Sequence, residues 1–380
     1  MIEIDKTLPP ADSFGGELLA LIAMTGEFPA TQADRLTGSP SYHEKLLLNL
    51  KQERFIRSYV KNGLRGYRLT APAKRLLLSQ QPAFLPFLSG EALTNAPKYD
   101  VKNRLRLHNV SSVLVTMHNA GVAILPWEKP DVFQLPKQGG EVSLDRPTFY
   151  TSREVKAVGP RGKNVTSSRS TGVLIADGEV LSVYNTGDVE MRWYTASELR
   201  MKTLLNEELC QSRLSARCGK KDVSALMLSD NMEHMAAFMT GGKRQKHKYD
   251  ILNGAFRHFY YLTNDHAGEV LLRTLCDRRI RDTLDRVLTD GLSPRVPDAS
   301  VENDGFDENG DPVLLGYLCD MPRILRFSNA LTREGREGTL LCFDFQVEAI
   351  RAVCGESMTI TPIYLESYEG SDIYRLEKVD

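Results

Sequence analysis

Residues 39–75 read SPSYHEKLLLNLKQERFIRSYVKNGLRGYRLTAPAKR, and the order of signals in them decides the fold of the amino-terminal part. Ser39-Pro40-Ser41 supplies a capping hydroxyl and a proline suited to a first helical turn. The helix so started is expected to run to about Glu53. On it His43, Leu46, Leu47 and Leu50 share one face, and Ser41, Lys45 and Gln52 fall opposite, with Tyr42 and Asn49 on the flanks. Leu48 also points outward, the mark of a residue that packs on a neighbour or a partner subunit. Residues 54–60 then read as a strand, Lys61-Asn62-Gly63 as a turn and residues 64–70 as the returning strand. Thr70-Ala71-Pro72 opens a further helix.

Upstream, residues 14–24 (FGGELLALIAM) have apolar positions at helical spacing, closed by Thr25-Gly26-Glu27 and followed by the extended pair Phe28-Pro29. Residues 30–36 fit a second, short helix ending at Gly38. Helix, helix, helix, hairpin, helix is the order of a winged helix-turn-helix, expected over residues 13–78 of a 1–80 domain. Between Ser41 and Arg75 nine basic residues (Lys45, Lys51, Arg54, Arg57, Lys61, Arg65, Arg68, Lys74, Arg75) face only Glu44 and Glu53, on a chain whose formal net charge is −1. Such a stripe suits phosphate, because each cation that meets one releases condensed counterion. With the third helix in the major groove, Ser41, Tyr42, Lys45 and Asn49 would face base edges. Lys61, Asn62, Arg65 and Arg68 would then meet the backbone or minor groove. The alternative is a winged helix that only docks another protein.

A length of 380 residues suggests two or three domains, and 42% apolar with 26% charged residues is ordinary for a folded protein. The acidic, proline-interrupted start predicts no export signal, and no apolar run approaches the roughly 20 residues that span a bilayer. Six cysteines without metal-ligand spacing predict reduced, packed thiols and a cytoplasmic protein. Residues 81–146 read as a helical connector. Its helix over 100–119 carries a basic cluster, Lys102, Arg104 and Arg106, and two histidines, His108 and His118, taken as polar helix residues. From 147 to 380 the pattern alternates short strands and helices, the mark of an α/β domain in an α+β chain, with loops at 241–248 and 289–311.

The winged helix, the stretch RLRLHNVSSVLVTMHNAGV, and the unit TGVLIADGEVLSVYNTG followed by SELRMK resemble replication-relaxation proteins of plasmids and integrative elements. The resemblance covers about the first two-thirds of the chain. It implies a DNA-binding accessory of plasmid replication, relaxation or transfer, whose α/β domain is similar to the PD-(D/E)-x-K nuclease, or restriction-endonuclease-like, core. That core needs an acid on one strand and an acid-x-acid or acid-x-Lys pair on the next, to hold Mg²⁺ and activate water. Here Ser170-Thr171-Gly172 and Tyr184-Asn185-Thr186-Gly187 stand at those places. Asp177, Asp188 and Glu190 are nearby, Asp177-Gly178 reads as a hairpin tip, and Lys202 on the following helix could be a relic of the core lysine.

Other motifs carry less. GGKRQKHK at 241–248 is a basic loop that could grip phosphate, and DENGD at 307–311 reads as a turn, because Pro312 and Leu318 break a calcium loop. In TNDHAGE at 263–269, Asn264 or Asp265 is expected to cap a helix beside His266. No catalytic residues, cofactor or metal are expected. The leading expectation is a non-catalytic protein of a mobile element that binds double-stranded DNA, with replication or relaxosome proteins, or a second copy of the chain, as further partners. A transcriptional regulator with a sensing or dimerising α/β domain and a metal-dependent nuclease are the alternatives.

Overall fold

The computed structural model describes residues 7–36, 38–88, 100–133, 144–156, 162, 165, 167–188, 191, 193–215, 222–240, 255–295 and 300–375. The chain divides into two compact units, Met1–Phe133 and Gln134–Asp380. The protein is mixed α/β and α+β overall, with three sheets among the described residues.

In the first unit α1 (Phe14–Thr25) is capped by the Ser13 hydroxyl, which accepts from the Gly16 amide, and ends on Gly26 at φ 80°, a left-handed position that suits glycine. It is buried over most of its circumference and forms the core onto which the rest packs. Then follow β1 (Phe28–Pro29), α2 (Ala30–Ala33), α3 (Pro40–Gln52), β2 (Ile56–Lys61), β3 (Leu64–Leu69) and α4 (Ala71–Gln80). The second helix is shorter than the 30–36 expected. Ser39 caps α3 through the Tyr42 amide, and Thr70 caps α4 through the Ala73 amide. The three strands form one antiparallel sheet in the order β1-β3-β2. Asn62 and Gly63, at φ 52° and 76°, form the two-residue mirror-image turn that matches strand twist and pairs Lys61 with Leu64. Past Ile56, β2 is exposed except at the half-buried Tyr59, whereas β3 is buried from Gly66 to Leu69, so the turn end of the hairpin is its most exposed part. A short α5 (Leu85–Leu88) precedes α6 (Val101–Asn119). α6 belongs to this unit, packing on α1, β1 and α2.

One buried carboxylate organises the unit. Glu27, 0% exposed, receives Arg68 from β3 (Nε 2.8 Å) and Arg104 from α6 (Nε 3.0 Å, Nη2 2.6 Å), and His108 Nε2 lies 2.9 Å away. Both guanidinium groups stack on the Tyr59 ring, 3.9 and 4.6 Å from its centroid. Burial alone would raise the Glu27 pKa, but hydrogen bonds from His108, Arg104 and Arg68 overcome it and hold the group at about 2.

The second unit holds two five-stranded sheets. The first contains β4 (Thr148–Thr151), β5 (Gly172–Ala176), β6 (Glu179–Asn185), β7 (Val223–Ser229) and β8 (Phe259–Thr263), adjacent in chain order. Its first two pairings are antiparallel and its last two parallel. The second sheet, of β9 (Ser293–Pro294), β10 (Gly305–Phe306), β11 (Pro312–Leu315), β12 (Gly338–Phe343) and β13 (Met358–Ile363), repeats that order and those directions. Helix α7 (Ser152–Lys156) follows β4. α8 (Thr195–Leu205), prolonged by a π-helical stretch Asn206–Arg213, joins β6 to β7, and α9 (Glu233–Thr240) joins β7 to β8. Helices α10 (His266–Cys276) and α11 (Arg278–Leu288) lead to the second sheet, where α12 (Met321–Glu334), α13 (Val347–Arg351) and α14 (Leu365–Gly370) repeat the pattern. The second sheet corrects the reading of 289–311 as a loop, because β9 and β10 lie inside it and are too short to show a period. No described helix is long and apolar enough to cross a membrane.

Removing one partner of a buried ion pair costs roughly 3–5 kcal/mol. Glu27→Ala should therefore lower the opening free energy of α1 amides by about that much at pH 7, read by hydrogen exchange. The folded-state pKa is depressed, so the stabilisation is complete above about pH 4.5 and is lost as pH falls toward 2. The wild type and the variant should converge over that window.

Candidate nucleic-acid interface

The Ser39 cap fixes where α3 starts and hence which side chains point away from the core. His43 and Leu50 are buried, with Leu46 and Leu47 half-buried between them. Ser41, Tyr42, Lys45, Leu48, Asn49 and Gln52 are exposed on the other side. The Tyr42 ring leans on Phe14 of α1, centroids 5.8 Å apart, which limits its freedom while leaving it 49% exposed. Ser41 Oγ lies 3.3 Å from the capping Ser39 Oγ. Of the hairpin residues expected to contact a ligand, Lys61, Asn62 and Arg65 are exposed at or beside the turn. Asn62 also holds one of the turn's positive-φ positions.

Arg68 is the exception. It is 5% exposed and committed to Glu27, so it is a core residue and leaves the set of candidate contacts. Of the basic cluster on α6, Arg104 is 0% exposed, whereas Lys102 and Arg106 are exposed. Arg104 donates to the carbonyl oxygens of Lys61 (2.8 Å), Leu64 (3.0 Å) and Tyr59 (3.4 Å). A side chain of α6 thus holds the turn end of the hairpin from beneath.

A cleft of about 720 Å³ opens between α2, α3 and β3, with Lys51 and Arg65 among its lining residues, together with Leu47, Leu48, Leu64 and Tyr67. The Lys51 ammonium lies over the Tyr67 ring, 5.0 Å from its centroid. Burial and the nearby Arg65 charge lower the Lys51 pKa, and burial with Arg57 and Arg68 lowers that of Lys74. Burial is the larger cause of each shift, and the cleft that Lys51 and Arg65 line also holds Asp34 and Glu44. Among the described residues Lys45, Arg57 and Arg65 enter no ion pair. Lys51 and Arg57 lie in the basic stripe but were not singled out by the sequence. What singles them out is the packing of α3 against the hairpin.

In the second unit a hydroxyl cluster lies beside Ser170-Thr171-Gly172, at the start of β5. Ser182 Oγ donates to Ser170 Oγ (3.3 Å), which donates to the Gly172 carbonyl (2.8 Å). Ser168 Oγ (2.6 Å) and the Arg169 amide (2.9 Å) donate to the buried Glu198 of α8. Burial raises the Glu198 pKa despite these donors, the reverse of Glu27, and it pushes the neighbouring Tyr184 hydroxyl well up. Asp177 forms the β5–β6 turn at φ 47° and is bound by Arg281 at 2.5 Å, Asp188 is exposed, and Lys202 pairs with Asp222 at 2.8 Å. Glu190 and the basic loop 241–248 lie outside the described residues. Among the described residues no three His, Cys, Asp or Glu side chains are grouped to hold a metal ion. Asp265 caps α10 through the Gly268 amide at 3.0 Å, and the Asp307 carboxylate closes the β10–β11 turn on the Asn309 and Asp311 amides.

Comparison with family models, with characterised proteins and with solved structures finds no match to this chain.

Arg104→Ala should release the turn end of the hairpin. Amide exchange at residues 59–64 is expected to rise at least about tenfold more than at α3, since the hydrogen bonds to a charged donor contribute roughly 1.5–3 kcal/mol on top of the loss of a Glu27 partner that the whole unit shares. Equal acceleration across α3 would show instead that Arg104 supports the whole unit.

Proposed function

We propose that this is a non-catalytic, cytoplasmic DNA-binding accessory protein of a mobile genetic element, acting in plasmid replication, relaxation or conjugative transfer. The first unit is a winged helix-turn-helix that sets α3 in the major groove, with the β2–β3 hairpin as its wing. One observation carries this reading: an exposed face on α3 that is polar apart from Leu48, bordered on helix and hairpin by Lys45, Lys51, Arg57, Lys61 and Arg65, which outnumber the exposed Asp34, Glu44 and Glu53 near them. The mobile-element setting rests on the sequence resemblance to replication-relaxation proteins, and with it the expectation of replication or relaxosome partners or a second copy of the chain.

The second unit is read as a nuclease-like core that binds and does not cut. Ser170-Thr171-Gly172 and Tyr184-Asn185-Thr186-Gly187, where the resemblance would place the acids, and Asp177 tied to Arg281 support this over a Mg²⁺-dependent nuclease. A transcriptional regulator would share the DNA-binding unit, and a footprint over a promoter in place of an origin would favour it.

The test is binding of the full chain to a random duplex library by selection and sequencing, followed by titration of the enriched site at several salt concentrations. Each phosphate contact contributes about 0.9 to the slope of log K against log salt. Lys45→Ala, Lys51→Ala and Arg65→Ala should each lower that slope by about that amount, and Arg68→Ala should lower thermal stability instead. No duplex binding at low salt would overturn the proposal and leave a protein-docking module.

A further inference from the structure

The outward face of α3 has a composition that goes beyond charge. At 3.6 residues per turn, positions 41, 45, 48, 49 and 52 fall within about 100° of arc, and all five are exposed. Leu48 lies within that arc, 54% exposed, while the other leucines of the helix are buried or half-buried. Its neighbours on the face are the amides Asn49 and Gln52. Ser41 and Lys45 share the arc, the exposed acid Glu44 borders it one turn before Leu48, and Lys51 lies toward the cleft with Arg65.

Base edges in the major groove discriminate among such side chains. Adenine offers an acceptor and a donor that an amide meets bidentately, thymine offers a methyl group that an apolar side chain covers, and guanine calls for Arg or Lys. A leucine beside two amides is matched to an adenine–thymine pair, and Lys45, the one cation on the arc, to a guanine at another position of the site. We propose that α3 reads adenine–thymine pairs, with Leu48 against the C5 methyl of a thymine and Asn49 on the adenine of that pair or the next. This assignment rests on the reading of the first unit as a duplex-binding winged helix. The outward leucine is then a specificity contact, which removes the need for a protein neighbour to cover it.

The experiment uses the full chain and the site it selects, with each thymine replaced in turn by deoxyuridine, which removes only the methyl. Burying one methyl group corresponds to about fourfold in affinity. One substitution should weaken binding by about that factor. Leu48→Ala should bind the thymine site as weakly as the wild type binds the uracil site and should not respond to uracil. Asn49→Ala should lose discrimination at the adjoining adenine by at least about fivefold, within the range for a mismatched base. Both positions are exposed, so melting temperatures should stay at the wild-type value. Uracil tolerated at every thymine, or guanine–cytosine pairs selected where the two variants act, would overturn this inference and leave the DNA-binding reading standing. No duplex binding at low salt, together with a dimer that Leu48→Ala converts to monomer, would overturn both and make Leu48 a self-association contact.

Discussion

A carboxylate with no exposed surface is the constraint on which the first unit depends. Glu27 follows α1 at the start of the chain's first turn, and on its own its burial would be costly. It is tolerated because guanidinium groups from β3 and α6, with His108, converge on it. The carboxylate in turn lets Arg68 and Arg104 be buried, and their stacking on Tyr59 fixes the sheet against α6. The cluster therefore joins segments 41 and 77 residues apart in sequence. Arg104 extends it by three donations to hairpin carbonyl groups, so the orientation of the hairpin is set by a charge buried in the core.

The placement of charge follows. Acid is drawn inward at Glu27, and two of the stripe's neighbouring arginines are spent neutralising it, while Lys45, Lys51, Arg57, Lys61 and Arg65 stay at the surface of helix and hairpin. Those five cations against the exposed Asp34, Glu44 and Glu53 make the local charge more positive than the near-zero net charge of the chain suggests. In the second unit the opposite solution appears. Glu198 is buried against hydroxyl groups and an amide, and its pKa rises. Two buried glutamates thus differ in protonation tendency because one meets guanidinium groups and the other neutral donors.

Much of the first unit was legible because its signals are local. Ser39-Pro40, Asn62-Gly63 and Thr70 each act within a few residues, and the structure uses each where it was read. The inward face of α3 followed from periodicity alone. Arg68 reads as a surface contact and Arg104 only as part of a basic cluster, because the partner of both is Glu27 and counting charge along the chain does not reveal pairings across 41 and 77 residues. Glu198 was missed for the same reason, since its donors come from a segment about thirty residues earlier. In the second sheet the stretches LLCFDF and TITPIYL, at β12 and β13, read as strands, but β9 and β10 did not, because they have two residues each and a period of two needs more than that to show. Only the structure reveals that the second unit repeats one strand order twice.

The account stands or falls on whether α3 is the element that lies against DNA. The direct measurement is photo-crosslinking of the full chain to its selected duplex carrying 5-iodouracil, with adducts located by mass spectrometry. Adducts on the peptide spanning residues 41–52, with others confined to the hairpin at 57–65, are the predicted result. Adducts confined to the second unit, with α3 and the hairpin unmodified, would contradict it.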